Sequence, residues 1–352
     1  MPDLSTIPVG VITEKGGAHL SAYFEALSKT AECSQVVLCD PSGSSFESAK
    51  KLLGEKLAAV YQDLDQMLTR AKPVMALVSM EAVNAPPVVD QLLDAGCHVY
   101  VEKPACVRAE DLEPLVMKAE KKKLHLLFAF ANRITPAVQK MKALLNVGLI
   151  GKLYSAEMHL VADQTRLKSE NYQKSWFADR SRSGGGHLIW LGIHWLDLAM
   201  YLTGQSIVEV AGFTANVGGQ PLKIEDSATF AYRFSGGATG TVNSGYYLDR
   251  GYHSHLRLWG SDGWIEYSEH LGGRTALPLR WYSNSQSAKG IVSYDGPMDP
   301  KGYSPWVRAC VRTCAGLENT PPVTGRDALR VLRTVFGCYQ AAQTGRSVQT
   351  GV

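Results

Sequence analysis

The sequence predicts a two-part α/β protein, in which a doubly wound parallel sheet is followed by a mostly antiparallel open sheet with helices. Up to about residue 125, short apolar runs alternate with amphipathic segments, as in a parallel sheet covered on both faces. After Arg133 single apolar residues alternate with polar ones, which is typical of an antiparallel sheet. The length of 352 residues also favours two domains, which we expect at 1–125 and 126–352.

Six strands and five helices are predicted to alternate in the first domain. The strands are expected at 7–12, 35–39, 58–61, 74–79, 98–101 and 124–130. The helices are expected at 18–29, 46–53, 63–69, 86–95 and 109–122. Because the strands are continuous apolar runs at regular spacing, they indicate βαβ units.

The second domain is predicted to begin with a helix at 136–147 and to end with a closing helix at 326–344. Alternating patterns between them predict strands at 154–160, 228–234, 239–246, 256–259 and 264–267. Turn sequences at 235–237 and 260–263 indicate hairpins. The polar and aromatic segment 168–183 is predicted to be a loop near a cleft.

The composition argues against several classes of function. The chain is 45% hydrophobic and 20% charged, and its formal net charge of +3 comes from scattered residues, so we expect no nucleic-acid partner. No apolar run is long enough to cross a bilayer, and a strand begins at Ile7 with no room for a signal peptide. Seven cysteines without a CxxC pair predict reduced thiols and no metal site. We therefore expect a cytoplasmic protein with no membrane partner.

The most informative stretch is 97–104, which reads Cys-His-Val-Tyr-Val-Glu-Lys-Pro. A short β-rich run ends there in a carboxylate, an amine and a proline. In an open α/β sheet, ligands bind beyond the carboxyl ends of the strands, so Lys103 is predicted to lie at the mouth of a cleft. Pro104 permits a cis peptide that would orient Lys103. The alternative is an ordinary strand end with a solvated lysine.

A glycine turn follows the first strand, where a GxGxxG fingerprint is usual. Thr13 stands in the place of the first glycine, and Glu14 follows it. Gly16 and Gly17 can form a tight turn and expose amides at a helix N-terminus, which suits a pyrophosphate. Glu14 would repel a phosphate unless it points away. The alternative is a glycine turn that binds nothing.

Asp40 directly follows the second predicted strand. An acidic side chain at this place can bond both ribose hydroxyls and would repel a 2′-phosphate, and no Arg or Lys follows before Lys50. NAD is therefore favoured over NADP. The alternative is that residues 40–43 are simply a turn.

A second informative stretch, 183–197, begins with three glycines and continues as a helix to about residue 202. At helical spacing one stripe is polar and aromatic, and it comprises His187, Trp190, His194, Asp197 and Tyr201. Another stripe is apolar and comprises Leu188, Leu191, Trp195, Leu198 and Leu202. We expect the first stripe to line a cleft and the second to face the core. A buried, hydrogen-bonded imidazole is the alternative for each histidine, and a metal site is disfavoured because the histidines lie two turns apart.

With these motifs in this order, the chain resembles the glucose–fructose oxidoreductase and inositol dehydrogenase (Gfo/Idh/MocA) family over nearly its whole length. The segments that carry the resemblance are 95–104, 146–159, 183–204, 224–242 and the closing helix. The resemblance implies an NAD(P)-dependent oxidoreductase that transfers hydride between a nicotinamide cofactor and a sugar, polyol or sugar derivative. It also implies a dinucleotide-binding Rossmann domain at 1–125, a substrate and oligomerisation domain at 126–352, and a homodimer or homotetramer.

The resemblance assigns roles to individual residues. It implies that Lys103 supports proton transfer at the substrate hydroxyl and that His194 exchanges a proton with the alcohol. The expected cofactor contacts are Thr13, Gly16, Gly17, Asp40, Ser79, Glu102 and Lys103. Besides His194, the expected substrate contacts are inferred only from their place near the predicted cleft, and they are Arg133, Trp176, Arg180, His187 and Trp190.

Three departures from the family pattern keep alternatives open. Thr13 replaces a glycine, Met80 and Asn84 replace a proline and a histidine, and Trp190 replaces an aspartate. Trp190 cannot carry a proton, although it can stack on a sugar ring. One alternative is an NAD-dependent glycoside-cleaving enzyme that uses transient oxidation and elimination. The other is a non-catalytic sensor or partner protein on the same fold.

Overall fold

Two sheets organise the part of the chain that the computed structural model describes, which is residues 6–248, 251–270, 278–297 and 302–352. The described parts of Met1–Ala131 and Pro300–Leu329 form one compact unit, and those of Asn132–Asp299 and Arg330–Val352 form another. The functional domains expected at 1–125 and 126–352 stay predictions, since compactness alone does not assign a function to a unit.

The strands are numbered in chain order. They are β1 (Ile7–Thr13), β2 (Cys33–Cys39), β3 (Leu57–Tyr61), β4 (Met75–Ser79), β5 (His98–Val101), β6 (Leu126–Phe128), β7 (Leu153–Asp163), β8 (Ile207–Ala215), β9 (Ser227–Phe234), β10 (Thr239–Leu248), β11 (His253–Gly260), β12 (Gly263–His270), β13 (Leu279–Ser283), β14 (Val292–Ser293) and β15 (Val348–Gln349).

The α-helices are numbered in the same way. They are α1 (Leu20–Lys29), α2 (Phe46–Leu53), α3 (Leu64–Ala71), α4 (Ala85–Asp94), α5 (Ala109–Lys122), α6 (Pro136–Asn146), α7 (Glu170–Gln173), α8 (Arg180–Ser183), α9 (Ile193–Thr203), α10 (Ser304–Cys314) and α11 (Gly325–Thr344). A π-helical turn spans Leu188–Gly192, and short 3₁₀ helices span Gly54–Lys56, Ala131–Ile134, Thr165–Lys168, Trp176–Ala178 and Asn284–Lys289.

The first unit holds a parallel six-stranded sheet in the order β3-β2-β1-β4-β5-β6. This is the strand order of a doubly wound dinucleotide-binding sheet, and the prediction of that fold is confirmed. The chain leaves β1 toward one edge and returns at β4 toward the other, so the switch point lies between these two strands. Ligands in such sheets bind at the carboxyl ends of the strands beside the switch point.

Several predicted elements of the first unit coincide with the observed ones. The helices at 46–53 and 109–122 and the strand at 98–101 have the predicted bounds. All five residues of β4 are buried, as expected for a strand covered on both faces. The strand predicted at 124–130 is shorter, because the chain turns into the 3₁₀ helix Ala131–Ile134 soon after Phe128.

The second unit holds a nine-stranded sheet in the order β14-β13-β12-β11-β7-β10-β9-β8-β15. Most neighbours are antiparallel, and β9/β10 and β11/β12 are the predicted hairpins. β7 and β10, however, pair in parallel, which the sequence reasoning did not predict. β8 was also missed, because half-buried residues on both of its faces obscure the alternation.

The prediction of a loop at 168–183 is wrong. This segment contains α7, the 3₁₀ helix Trp176–Ala178 and α8. The Asp179 side chain caps α8 by accepting a hydrogen bond from the Ser181 backbone N–H at 2.9 Å. Helices of about one turn are too short to leave a periodic pattern in the sequence.

Three further observations concern the described residues alone. None of their helices is both long and apolar enough to cross a membrane. No group of three or more His, Cys, Asp or Glu side chains among them is placed to hold a metal ion. All seven cysteines are buried and none forms a disulfide.

Candidate active site

The loop after β1 is tied to the end of β4 by two hydroxyl groups. Thr13 Oγ1 donates to the Ser79 carbonyl at 2.7 Å, and Ser79 Oγ donates to the Ala18 carbonyl at 2.6 Å. A Cβ atom at Gly17 would lie 2.2 Å from Thr13 Oγ1 and 2.6 Å from the Ser79 carbonyl oxygen. Gly17 therefore allows the backbone to approach these groups closely, as a glycine of a phosphate-binding turn does.

A cleft of about 520 Å³ opens beside this loop. It is lined by Gly16 and Gly17, by the first turn of α1, and by Ser44 and Ser45 before α2. Gly16 has a φ of 87°, which favours glycine. Amides of a glycine turn at a helix start, with hydroxyls opposite, suit the pyrophosphate and ribose of a dinucleotide. The residues of this cleft therefore fit a nicotinamide dinucleotide.

Glu14 also lines this cleft. Its carboxylate accepts hydrogen bonds from the Glu81 backbone N–H at 2.8 Å and from Asn84 Nδ2 at 3.0 and 3.2 Å. These partners belong to the loop between β4 and α4. Hydrogen bonds thus hold the Glu14 carboxylate beside the cleft, and its effect on a bound phosphate stays a prediction.

Asp40 is fully buried at the end of β2, and both of its carboxylate oxygens accept hydrogen bonds. Oδ1 accepts from Ser42 N–H at 2.9 Å and Ser42 Oγ at 2.6 Å, and Oδ2 accepts from Ser45 N–H at 2.9 Å and Ser45 Oγ at 2.7 Å. Burial alone would raise the pKa of Asp40, but these hydrogen bonds outweigh it and hold the pKa below its usual range. Asp40 therefore organises the turn before α2, and its contact with ribose stays a prediction.

Lys103 lies just beyond β5, as predicted, and the Lys103–Pro104 peptide is cis. Glu102 and Lys103 are each 5% exposed. Tyr23 of α1 donates a hydrogen bond to Glu102 Oε2, and its hydroxyl lies 3.0 Å from that of Tyr100. Burial raises the pKa of both tyrosines well above the ordinary value, so they stay protonated donors.

The glycine-rich start of the second motif surrounds a buried carboxylate. Glu225 accepts hydrogen bonds from the Gly186 N–H at 2.7 Å, the Leu188 N–H at 3.1 Å and the Tyr339 hydroxyl at 2.8 Å. A Cβ atom would lie 2.1 Å from Tyr339 Oη at Gly185 and 1.9 Å from the Glu225 carbonyl oxygen at Gly186. These two glycines therefore allow Glu225 to cap the helix that follows.

The predicted polar and aromatic stripe separates into two groups, and its prediction as one surface is wrong. The π-helical turn Leu188–Gly192 breaks the 3.6-residue spacing on which the stripe was based. His187 and Trp190 join aromatic side chains, whereas Asp197 and Tyr201 join Arg133. The apolar stripe is confirmed as core, except that Leu191 is half-buried.

Arg133 forms a buried ion pair with Asp197. Its Nε and Nη2 donate to the carboxylate at 2.9 and 2.6 Å, and the side chains are 4% and 2% exposed. The guanidinium also lies 4.8 Å from the centroid of the Tyr201 ring. This pair joins the 3₁₀ helix Ala131–Ile134 to α9, and the expected contact of Arg133 with substrate stays a prediction.

Trp190 packs edge-on against two aromatic rings. Its ring centroid lies 5.0 Å from that of Trp176 and 4.7 Å from that of Phe177. Trp176 and Phe177 stack at 4.1 Å, and Phe177 stacks on Tyr172 at 6.3 Å. The structure thus brings together Trp176 and Trp190, two of the expected substrate contacts.

The other expected contacts have different surroundings. His187 is fully buried, its Nδ1 lies 2.6 Å from Ser244 Oγ, and its ring meets Tyr246 edge-on at 4.4 Å. His194 is half-buried in the first turn of α9. Arg180 is exposed, and its guanidinium lies 4.8 Å from the centroid of the Tyr339 ring.

Two separate profiles of one family match the chain. Residues 9–130 match the oxidoreductase family with an NAD-binding Rossmann fold, and residues 138–266 match the GFO/IDH/MocA C-terminal domain. The chain belongs to the Gfo/Idh/MocA oxidoreductase family. The resemblance inferred from the sequence is therefore confirmed.

Individual relatives agree with this membership. D-glucoside 3-dehydrogenase of Escherichia coli is 23% identical over 334 residues, which cover 89% of each chain. The fold is shared with an oxidoreductase domain protein from Kribbella flavida, with a TM-score of 0.85, 20% identity and coverage of 98% and 99%. It is also shared with the WlbA dehydrogenase from Bordetella pertussis in complex with NADH and UDP-GlcNAcA, with a TM-score of 0.80, 19% identity and 98% coverage of each chain.

Three of the residues that depart from the Gfo/Idh/MocA pattern have a structural partner. Thr13 bonds Ser79, Asn84 bonds Glu14, and Trp190 packs on Trp176. Sequence reasoning missed the roles of Tyr23 and Tyr100. The sequence did contain a signal for these roles, because a tyrosine in an otherwise apolar strand or helix needs a hydrogen-bond partner when it is buried.

Proposed function

We propose that this protein is an NAD-dependent dehydrogenase or reductase that transfers hydride between the nicotinamide and a CH–OH group of a sugar, polyol or sugar derivative. One observation carries the proposal. Lys103 follows Glu102 just beyond β5, at the same carboxyl edge of the parallel sheet as the glycine turn and Asp40. The relative named D-glucoside 3-dehydrogenase supports a carbohydrate substrate.

The cofactor supplies the hydride chemistry when it is bound, and the protein must hold and move the proton. We assign to Lys103 the removal or return of the proton at the substrate oxygen, and to His194 the exchange of that proton. Gly16 and Gly17 would hold the pyrophosphate and Asp40 the ribose. Thr13, Ser79 and Glu102 would shape the cofactor side of the site.

We assign Trp176 and Trp190 of the second unit to the substrate side of the site. They are 4% and 6% exposed and pack edge-on against each other, so a sugar ring would meet only the edge of this aromatic cluster. His187, Arg133 and Arg180 complete the proposed substrate contacts. A homodimer or homotetramer remains part of the proposal, on the basis of family membership.

The proposal is tested by measuring cofactor binding and turnover separately. NADH and NADPH are titrated by fluorescence, and a panel of sugars, polyols and sugar derivatives is then assayed with NAD⁺ for NADH formation. Lys103→Met is expected to reduce turnover about 100-fold or more, while NADH still binds with an affinity that falls much less than turnover does. Lys121→Met removes an exposed lysine of the same unit and should behave as the wild type. Turnover by Lys103→Met at the wild-type rate would refute the assignment.

One observation favours a second function, the cleavage of glycosides by transient oxidation and elimination. Trp190 stands at a position where the family commonly has an aspartate, and it packs in an aromatic cluster. Native mass spectrometry would detect NAD retained through purification, which a recycled cofactor requires. Product formation without added NAD would favour this function, whereas steady NADH release would exclude it. Failure to bind either nucleotide would leave a non-catalytic sensor as the function.

A further inference from the structure

Arg166 carries a positive charge that no carboxylate among the described residues neutralises. It lies in the 3₁₀ helix Thr165–Lys168, directly after β7, and is half-buried. Its Nη2 donates to the Tyr252 hydroxyl at 2.8 Å, and its guanidinium lies 5.6 Å from the centroid of the Tyr246 ring. Aromatic rings and a hydroxyl therefore surround this cation where a counter-ion would be expected.

The backbone that carries Arg166 is held in place. Asp163 Oδ1 accepts hydrogen bonds from the Thr165 N–H at 2.8 Å and from Thr165 Oγ1 at 2.6 Å. Leu167, the next residue, is buried against Tyr246 and Ala162. The guanidinium is thus presented from an ordered turn rather than from a long exposed loop.

His187 adds an unsatisfied polar atom to the same group of side chains. Its Nδ1 is bonded to Ser244, while its fully buried Nε2 has no hydrogen-bond partner among the described residues. Burial, and then the charge of Arg166, lower the pKa of His187 to about 3. The imidazole is therefore neutral at physiological pH and adds no charge to that of Arg166.

Comparison with Arg133 shows what is unusual about Arg166. Arg133 is also buried in this unit, but Asp197 binds it in a bidentate pair. Removing a guanidinium from water without a counter-ion is unfavourable. A guanidinium that is shielded from water is therefore found either beside an acidic side chain or at a site that binds an anion. Arg166 uses one donor for Tyr252, and a guanidinium still offers a planar fork that matches carboxylate and phosphate oxygens.

We propose that Arg166 binds an anionic group of the substrate, with help from the hydroxyls of Tyr172 and Tyr252. The substrate class is then a sugar derivative that carries a carboxylate or a phosphate, rather than a neutral sugar. This inference rests on the proposed function and narrows its substrate. The nearby aromatic rings of Tyr246 and Tyr172 would pack against the carbon skeleton.

The test uses three probes that differ in charge: D-glucuronate, D-glucose 6-phosphate and D-glucose. Each is titrated calorimetrically into the full-length protein, with and without NADH. At least one anionic probe is expected to bind about ten- to a hundredfold more tightly than D-glucose, the range for a hydrogen bond to a charged group. The anionic probe that binds more tightly shows whether the anionic group of the substrate is a carboxylate or a phosphate.

Variants then assign the effect to Arg166. Arg166→Met should abolish the preference, so that the anionic probe binds no more tightly than D-glucose, and Arg166→Lys should restore part of the preference as a point charge. Arg233→Met is the matched control, because it removes an exposed arginine of the same unit that pairs with Glu209. Thermal unfolding and NADH titration of each variant verify that it is folded.

Two results would overturn the proposal. One is the absence of any preference for either anionic probe over D-glucose in the wild type. The other is an anionic preference that survives in Arg166→Met. NADH binding separates these failures from a failure of the proposed function: a protein that binds NADH but shows no anionic preference keeps its function and loses only this substrate class.

Discussion

The carboxylate of Glu14 accepts hydrogen bonds from the side-chain amide of Asn84 at 3.0 and 3.2 Å. This contact joins the loop after β1 to the loop after β4, at the edge of the sheet where the cofactor is proposed to bind. Asn84 stands where the family commonly has a histidine, and Glu14 interrupts the glycine fingerprint. The two unusual residues are thus partners, and their contact fixes the position of a negative charge in the cleft beside the glycine turn.

Glu14→Gln should strengthen NADH binding about two- to fivefold. The amide oxygen can still accept from Glu81 N–H, while the charge that repels a nearby pyrophosphate is lost, and one partly exposed charge is worth about 0.3–1 kcal/mol. The measurement is an NADH titration at low ionic strength. Glu55→Gln removes an exposed acid elsewhere in the unit and should have no effect. Weaker binding by Glu14→Gln would show that the charge itself is required.

Asp40→Ala should lower both stability and cofactor affinity. The carboxylate accepts from Ser42 and Ser45 before α2, so its loss should cost about 1–2 kcal/mol of unfolding free energy. The matched control is Asp63→Ala, which removes the capping carboxylate of α3 away from the cleft. Urea unfolding should show a loss in both variants, whereas NADH affinity and the preference for NADH over NADPH should fall in Asp40→Ala only. Equal NADH affinity in the two variants would restrict Asp40 to a structural role.

Glu32 should make the first unit sensitive to acid. The hydrogen bond from Arg308 is the main reason why the pKa of Glu32 is lowered from 4.5 to about 2. Together with the hydrogen bond from Arg312, it outweighs burial, which alone would raise this pKa. A carboxyl whose pKa is lower in the folded state stabilises the fold above its unfolded-state pKa. That contribution, about 1–3 kcal/mol, is lost as the pH falls from 4.5 towards 2.

Urea unfolding between pH 7 and pH 2 provides the measurement. Glu32→Gln should be less stable than the wild type at neutral pH, and the difference should shrink as the acid range is crossed, because the wild type loses the ion pair there. Glu113→Gln is the control, since it changes one acid of α5. If the difference in unfolding free energy between the wild type and Glu32→Gln stays constant with pH, Glu32 does not titrate in this range.

Removing either partner of the Arg133–Asp197 pair should destabilise the second unit by about 3–5 kcal/mol, since an uncompensated charge would remain buried. Asp197→Leu and Arg133→Met should each show this loss in urea unfolding. The double variant should lose less than the sum of the two, because it leaves no buried charge. Additive losses would indicate that the two side chains do not interact.

The strands and helices that could be predicted are those whose burial leaves a local pattern of apolar residues in the sequence. The bounds of α2, α5 and β5 were predicted because strands covered on both faces are continuous apolar runs and helices beside them are amphipathic. The short helices at 170–183 and the π-helical turn at Leu188–Gly192 were missed, because neither leaves a 3.6-residue period. The parallel pairing of β7 with β10 joins segments about 80 residues apart, and no local pattern encodes it.

The candidate site also has a part that the sequence predicted and a part that it did not. The carboxyl ends of β1, β2 and β5 placed Thr13, Asp40 and Lys103 at one edge of the sheet, as the sequence predicted. The importance of Arg133 was predicted, but its pairing with Asp197 was not. Arg166 was overlooked, because the sequence shows an arginine without showing whether an acid lies beside it.

The amino-acid sequence by itself determined the alternation of strands and helices from β1 to β6, the family, and the positions of Lys103 and the glycine turn, since hydrophobic periodicity and short motifs act over neighbouring residues. Only the tertiary structure decided which charged and polar groups meet. Glu14 and Asn84 are 70 residues apart, and Arg133 and Asp197 are 64 apart. Such pairs form when distant segments pack, and that packing, not local spacing, determines which charges are neutralised and which remain available to a ligand.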